Sequence, residues 1–494
     1  MPFLRREVIQ GHALEIISRS QVIQGRCKKL LAADFASQAP KDLANTIRAI
    51  CSYLEQVTKV ISSSIDWQSS DDNEKLNFIT QLQDIDYIIR DLGSHMRYVD
   101  GARTQRLPWS VVKPFEKYAE SLIPGITIML RPQWKYNYSV VTTDIRQKYL
   151  NDLSEYKDVL PNVSISDEVL KDFKKPFHII AFPSIERKTI LLHCLFGHEI
   201  GHLISGKYFQ RPRIGQFLTD IRKKIAEMLT KSGSTTPDIF TLQQESERAY
   251  IAWIRGLEEI LSDMVGALLF GPAVLFSSLE MAIQDELDWM PNPKNSFYPP
   301  WRFRLREIQK VIEGPSQEFF PLPKSIFISE KTVDSVNKQF ELIKRITGDM
   351  KDRETIEKDE VLKIVYAEID KDVIEAKKLF SEELKEKTTK SKDLYKRLHH
   401  LIKRLDSGIP PNAFEDSIND REPASIIEII NAAWFHKISW EDQIFKEDGS
   451  FNEDICKKRD IMNRLTLKAI EYADIEEKYR NDVGKPAHYG EISL

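Results

Sequence analysis

The chain has 494 residues, and 71 Lys and Arg nearly balance 75 Asp and Glu, giving a net charge of -4. This length favours two or three domains, and the balanced charge argues against a nucleic-acid partner. The four cysteines lie far apart without a C-x-x-C pair. This spacing argues against a cysteine-ligated zinc site and predicts a reducing, cytoplasmic compartment.

The first part of the chain divides into a helical and a strand-rich region. Residues 1–108 carry apolar and charged residues at helical spacing, as in LANTIRAICSYLEQVTKVI. After residue 109, the short β-branched or aromatic segments ITIMLRPQW, YSVVTT and FHIIAFPS predict a small sheet. The next segment, TILLHCLFGHEIGHLISGKYF, predicts a helix of about four or five turns.

The rest of the chain is predicted to be helical. A long helix is expected in QQESERAYIAWIRGLEEILSDMVGALLFG. The apolar stretch Met264 to Leu279 is too short to cross a membrane and is interrupted by Gly271-Pro272, so it is predicted to be buried core. We therefore expect a mostly helical α+β fold, with a core at 109–324 between helical regions 1–108 and 325–494.

The clearest functional motif is His198-Glu199-Ile200-Gly201-His202, an H-E-x-x-H arrangement within a predicted helix. Residues four apart share one helical face, so His198 and His202 can bind one metal ion. Glu199 points elsewhere and can reach a metal-bound water as a general base. A catalytic zinc site usually takes three protein ligands, so a third is expected from another segment.

Glu259 is the candidate third ligand. It stands four residues before Asp263 on the second long helix, so a ligand and a supporting carboxylate can share one face. The nearby acids Glu245, Glu247 and Glu258 have no carboxylate four residues later. This spacing favours Glu259.

H-E-x-x-H followed by E-x-x-x-D on a later helix resembles the gluzincin clan of zinc metallopeptidases. The gap of 57 residues, from His202 to Glu259, is more similar to the neprilysin and prenyl-endopeptidase/heat-shock peptidase branches than to thermolysin. The resemblance covers about residues 175–306 and implies a zincin-like core. It also implies that the zinc ligands are His198, His202 and Glu259 and that Glu199 is the base. Asp263 would orient a ligand imidazole, preferably that of His198.

The resemblance also implies a group that stabilises the tetrahedral oxyanion. Tyr298 occupies the place where the long-gap branches often carry His-Pro, and Arg302 or Arg304 are the next candidates. Zincins usually hold an extended peptide against an edge strand. FHIIAFPS is the candidate for that edge.

Other conspicuous residues favour structural interpretations. A core or helix-packing role is expected for His193, Cys194 and the Trp434-Phe435-His436 run. His399-His400 is expected on a solvated or partner-facing helix rather than in a second metal site.

Three functions are compatible with these features. The first is a zinc-dependent endopeptidase that cleaves an intracellular protein or peptide, with Glu199 as the base. The second is a catalytically silent zinc-binding scaffold, since Tyr298 stands where a histidine is common. The third is a peptidase effector of a stress or defence system, activated by a regulatory protein on the helical regions. No membrane span is expected in any of them.

Overall fold

The computed structural model divides the chain into two compact units, Met1–Arg187 and Lys188–Leu494. The described residues are 6–65, 70–173, 175–209, 213–231, 238–283, 285–288, 298–314, 319–322, 329–388, 391–415, 421–440, 443–446 and 448–483.

The first unit is a set of helices around a small sheet. Its α-helices are α1 (Arg6–Leu31), α2 (Ala39–Ser64), α3 (Asp72–Gly101), α4 (Trp109–Leu122) and α5 (Ile145–Ser154), and its strands are β1 (Thr127–Gln133), β2 (Ser139–Val141) and β3 (Phe177–Pro183). Asp71 and Glu74 form a capping box that starts α3. Buried apolar side chains of α1, α2 and α3 continue into the sheet as one hydrophobic core.

The sheet has the order β1-β3-β2, with β1 parallel and β2 antiparallel to β3. All three strands coincide with predicted segments. The expectation that FHIIAFPS forms an edge was wrong, because β3 is the central strand: Ile180 lies opposite Leu130 on one side and Val140 on the other. Its uninterrupted burial from Phe177 to Pro183 is typical of a strand covered on both faces.

The second unit is almost entirely helical in its described part. A 3-10 helix (Ile190–Leu195) precedes α6 (Phe196–Phe209), α7 (Arg213–Lys231), α8 (Ile239–Phe270), α9 (Pro272–Ala282), α10 (Trp301–Ile312), α11 (Glu330–Gly348), α12 (Lys351–Glu357), α13 (Glu360–Glu383), α14 (Ser391–Asp406), α15 (Ile426–Ile438) and α16 (Glu453–Val483). A short antiparallel pair, β4 (Ala413–Glu415) and β5 (Arg421–Pro423), separates α14 from α15.

Helix α8 is the centre of this unit and packs against α6, α7, α10 and α13. Its second half is buried, as is α9 after the break at Gly271, where φ is +61°. Buried Asn431 on α15 stabilises this break: its side chain accepts from Ala273 N and donates to the Phe270 carbonyl. Asp372 on α13 accepts from Trp253 Nε1 at 2.8 Å, which ties α13 to α8.

The structure confirms the coarse prediction, a mostly helical fold with a small sheet. Met264 to Leu279 is buried, as expected. Among the described residues, no helix is long and apolar enough to cross a membrane. The first compact unit includes residues 109–187 together with the N-terminal helices, and the division at 108 and 324 stays a prediction.

Candidate metal centre

The candidate site lies where α6 crosses α8, and glycines allow the two backbones to approach closely. A Cβ added at Gly201 would lie 2.6 Å from Ser262 Cα, and one at Gly197 would lie 2.7 Å from Phe270 Cδ2. On the facing helix, a Cβ at Gly266 would lie 3.1 Å from the backbone nitrogen of His198. The crossing therefore requires residues without a side chain, and it brings the histidines of α6 to the acidic residues of α8.

Gly201→Ala is expected to destabilise the chain by about 1–3 kcal/mol, because its methyl group would meet backbone atoms that cannot rotate away. Metal affinity is expected to fall with it, since the two helices must separate. The matched control is Gly206→Ala in the same helix, where no atom lies within 4 Å of an added Cβ. Thermal unfolding and metal titration of both variants test this, and equal behaviour would contradict the packing argument.

Three side chains converge at the crossing. His198 Nε2 lies 3.1 Å from His202 Nε2 and 3.5 Å from Glu259 Oε2, and His202 Nε2 lies 3.7 Å from Glu259 Oε1. Histidine, cysteine and acidic side chains can hold a metal ion where three of them meet, and among the described residues they do so at His198, His202 and Glu259. The structure thus brings together the three residues that the sequence selected as ligands.

The far nitrogens of both imidazoles contact carboxylates. His198 Nδ1 lies 2.8 Å from Asp263 Oδ1, which is the pairing expected from the sequence. His202 Nδ1 lies 3.3 Å from Glu258 Oε1. A carboxylate accepts, so each Nδ1 donates its proton, and Nε2 is the nitrogen of each ring that is left to bind a metal ion when the imidazole is neutral. Such outer contacts orient ligand imidazoles at metal sites.

Four acidic side chains lie in or beside this site, namely Glu199, Glu258, Glu259 and Asp263. Burial tends to lower the pKa of His202, but the hydrogen bond with Glu258 and the charges of Glu259 and Glu199 outweigh it and raise this pKa to about 9. Burial raises the pKa of Glu199, although the two imidazoles oppose the shift. A cation at this position would therefore be stabilised by its surroundings.

Arg304 on α10 is the buried counterion of the cluster. Its Nε lies 2.7 Å from Asp263 Oδ2 and its Nη2 lies 2.8 Å from Asp263 Oδ1, while Nη1 lies 3.3 Å from Glu259 Oε2. Burial opposes the charge of Asp263, but Arg304 and His198 hold the pKa of this carboxyl well below its usual range. Arg304 consequently fixes both acidic residues on α8.

The two other predicted catalytic residues lie in different surroundings. The Tyr298 side chain is half exposed, and its pKa is raised by partial burial and by the charge of Glu259. Arg302 is held elsewhere: its guanidinium donates to Asp288 and to the Ile346 carbonyl. The structure does not bring Arg302 together with the ligand residues.

The residues with structural interpretations have packing contacts of their own. Burial lowers the pKa of His193 to about 3, and its ring stacks on Phe196. Cys194 is buried. Trp434 donates to the Leu191 carbonyl, which packs α15 against the segment before α6, and His436 lies beside Asp406.

Comparisons with protein-family models, with curated proteins and with solved structures found no match. The residues of the site are therefore the basis for assigning a function.

Two contacts of the site were missed from the sequence. Glu258 was set aside because no carboxylate follows four residues later, yet it is adjacent to Glu259 and reaches the second histidine. Arg304 was considered for the oxyanion, whereas the structure pairs it with Asp263. The adjacent acids Glu258 and Glu259 were the available signal, since neighbours on a helix can approach two different partners.

Proposed function

We propose that this chain is a zinc-dependent endopeptidase with a zincin-like core, acting on protein or peptide substrates. The observation that carries the proposal is the convergence of His198, His202 and Glu259 beside the buried carboxyl of Glu199. Three protein ligands with one position left for water are the arrangement of catalytic rather than structural zinc sites.

The donor set fits zinc. Ligand atoms at about 2.0–2.2 Å from a tetrahedral ion lie roughly 3.3 Å from one another. The two Nε2 atoms are 3.1 Å apart, and each has a different oxygen of Glu259 close to it, at 3.5 Å from His198 and 3.7 Å from His202. Two nitrogens and one carboxylate oxygen are ligands that zinc accepts. The surrounding carboxylates outnumber the one buried guanidinium, that of Arg304, which also favours a divalent cation.

The proposed chemistry divides among the residues of the cluster. When bound, zinc makes water nucleophilic near neutral pH and polarises the scissile carbonyl. Glu199 accepts the proton of the attacking water and passes it to the leaving amine. Its raised pKa suits a group that must both take and return a proton. Asp263 and Glu258 keep the imidazoles of the ligands in one orientation.

Tyr298 is the proposed donor to the oxyanion. Its side chain is half exposed, so it remains accessible to a substrate. Burial and the charges of Glu259 and Glu199 raise its pKa, so the phenol keeps the proton that it must donate. An intracellular location is supported by the four cysteines, all of which are free.

The test is metal content followed by cleavage. The purified chain is expected to hold one zinc ion per molecule and to cut denatured proteins at defined bonds, which mapping of the new termini identifies. A zinc chelator should stop cleavage and added zinc should restore it. A chain without stoichiometric zinc, or cleavage that persists after chelation, would refute the proposal. Stoichiometric zinc without any cleavage would instead support the silent scaffold.

A further inference from the structure

Arg255 lies on α8, one helical turn before Glu259. Its side chain is 69% exposed, and its Nη1 lies 4.0 Å from Glu258 Oε2. That distance is beyond a hydrogen bond, and an exposed ion pair of this kind is weak. Glu258 is already engaged through its other oxygen with His202. The guanidinium therefore has donors to offer to another anion.

The neighbouring arginines of α10 differ from Arg255, because each is held by a carboxylate. Arg302 Nη2 donates to Asp288 Oδ2 at 2.9 Å, Arg304 Nε donates to Asp263 Oδ2 at 2.7 Å, and Arg306 Nη2 donates to Asp352 Oδ2 at 2.6 Å. Within the described part of the chain, the ion-pair partner of Arg255 is Glu258. Of these four arginines, Arg255 alone has a mostly exposed side chain, whereas the other three are largely buried.

Arg255 also shares its surroundings with the proposed oxyanion donor. The positive charges of Arg304 and, to a smaller extent, Arg255 lower the pKa of Tyr298, against the burial and the charges of Glu259 and Glu199 that raise it. Arg255 is the exposed one of these two arginines. A carboxylate that reached this point would meet the guanidinium on a side of the site otherwise dominated by acidic groups. Recognition of an anion here consequently depends on Arg255.

We propose that Arg255 binds a carboxylate of the substrate close to the scissile bond and so sets the specificity of the site. This inference rests on the proposed peptidase function. Arg255 approaches Glu258, which contacts the ligand His202, so the recognised group lies within about three extended residues of the bond that is cut. A planar guanidinium suits a carboxylate because it can donate two parallel hydrogen bonds.

Two sources can supply this carboxylate: an acidic side chain near the cleaved bond or the carboxyl terminus of the substrate. Paired peptides distinguish them. Starting from a peptide that the chain cleaves, one series exchanges Glu for Gln at each of the three positions on either side of the bond. The other series ends within three residues of the bond as a free carboxylate or as an amide. Each pair differs by one charge.

The expected result is a lower KM for the carboxylate member of one series. Arg255→Gln should reduce the preference for the carboxylate peptide over its neutral partner by about tenfold to a hundredfold, chiefly through KM. Arg255→Lys should keep part of it, because the charge remains but the paired donors are lost. Lys223→Gln removes an exposed positive charge from α7 and should leave the preference unchanged. An unchanged preference in Arg255→Gln, or an equal change for both peptides, would overturn the proposal.

Binding without turnover separates this inference from the peptidase proposal. Labelled members of each pair are titrated against the zinc-loaded Glu199→Gln chain and followed by fluorescence anisotropy. If Arg255→Gln removes a carboxylate preference in binding while cleavage of the same peptides persists after zinc chelation, the recognition stays intact and the zinc peptidase function is refuted. Cleavage and binding that are equal for both members of every pair would refute the role of Arg255 and leave the peptidase function intact.

Discussion

Glu199→Gln is expected to lower peptide hydrolysis by about a hundredfold to ten-thousandfold, the usual contribution of a positioned general base, while zinc content stays at one ion per chain. The amide keeps the size of the side chain but cannot accept the proton of water. Because Glu199 lies outside the three converging ligand atoms, metal binding should survive. Initial rates on a cleaved reference peptide, with metal analysis of the same samples, measure both quantities.

Folding provides an independent check on this variant. The raised pKa of Glu199 means that the folded chain binds this proton more tightly than the unfolded chain, so stability falls as the pH rises above the unfolded pKa. Without metal at neutral pH, the neutral amide should therefore be at least as stable as the wild type. Glu199→Asp keeps the carboxylate one methylene further back and should retain part of the activity. Full activity in Glu199→Gln would exclude Glu199 as the base.

The helices were predictable because their apolar residues recur at helical spacing over long segments. Two features of the sheets were not predicted. The run FHIIAFP has the continuous apolar character of a buried central strand, and its assignment to an edge rested on the expected mode of peptide binding rather than on its own pattern. Strands β4 and β5 have three residues each, too few to establish a period of two.

The convergence of His198, His202 and Glu259 was predictable for a local reason. His198 and His202 are one turn apart, as are Glu259 and Asp263, so two helical spacings define two halves of the cluster. What joins the halves is tertiary packing, which no spacing reveals. The roles of Arg302 and Arg304 illustrate this limit: residues two apart on a helix point about 200° away from each other, and only the packing of α10 turns Arg304 toward Asp263.

A graded loss of zinc affinity is the second large effect expected. Glu259→Gln removes a charged ligand and should weaken zinc binding by more than the roughly hundredfold that loss of an outer hydrogen-bond partner can cost. Glu258→Gln replaces the charged acceptor of His202 Nδ1 by a neutral amide oxygen and should cost about tenfold to a hundredfold. Glu247→Gln, an exposed position on the same helix, should leave affinity unchanged. Competition against a chromogenic zinc chelator ranks the three variants.

The order of these losses distinguishes a ligand from a nearby acid. All three substitutions remove one negative charge from α8, so a purely electrostatic attraction would weaken binding according to distance alone and would treat the adjacent Glu258 and Glu259 alike. Coordination predicts a clear gap between them, because only Glu259 directs its oxygens toward both Nε2 atoms. Circular dichroism must show a folded Glu259→Gln chain, since Arg304 loses part of its pairing there. Equal losses in Glu258→Gln and Glu259→Gln would contradict Glu259 as the third ligand.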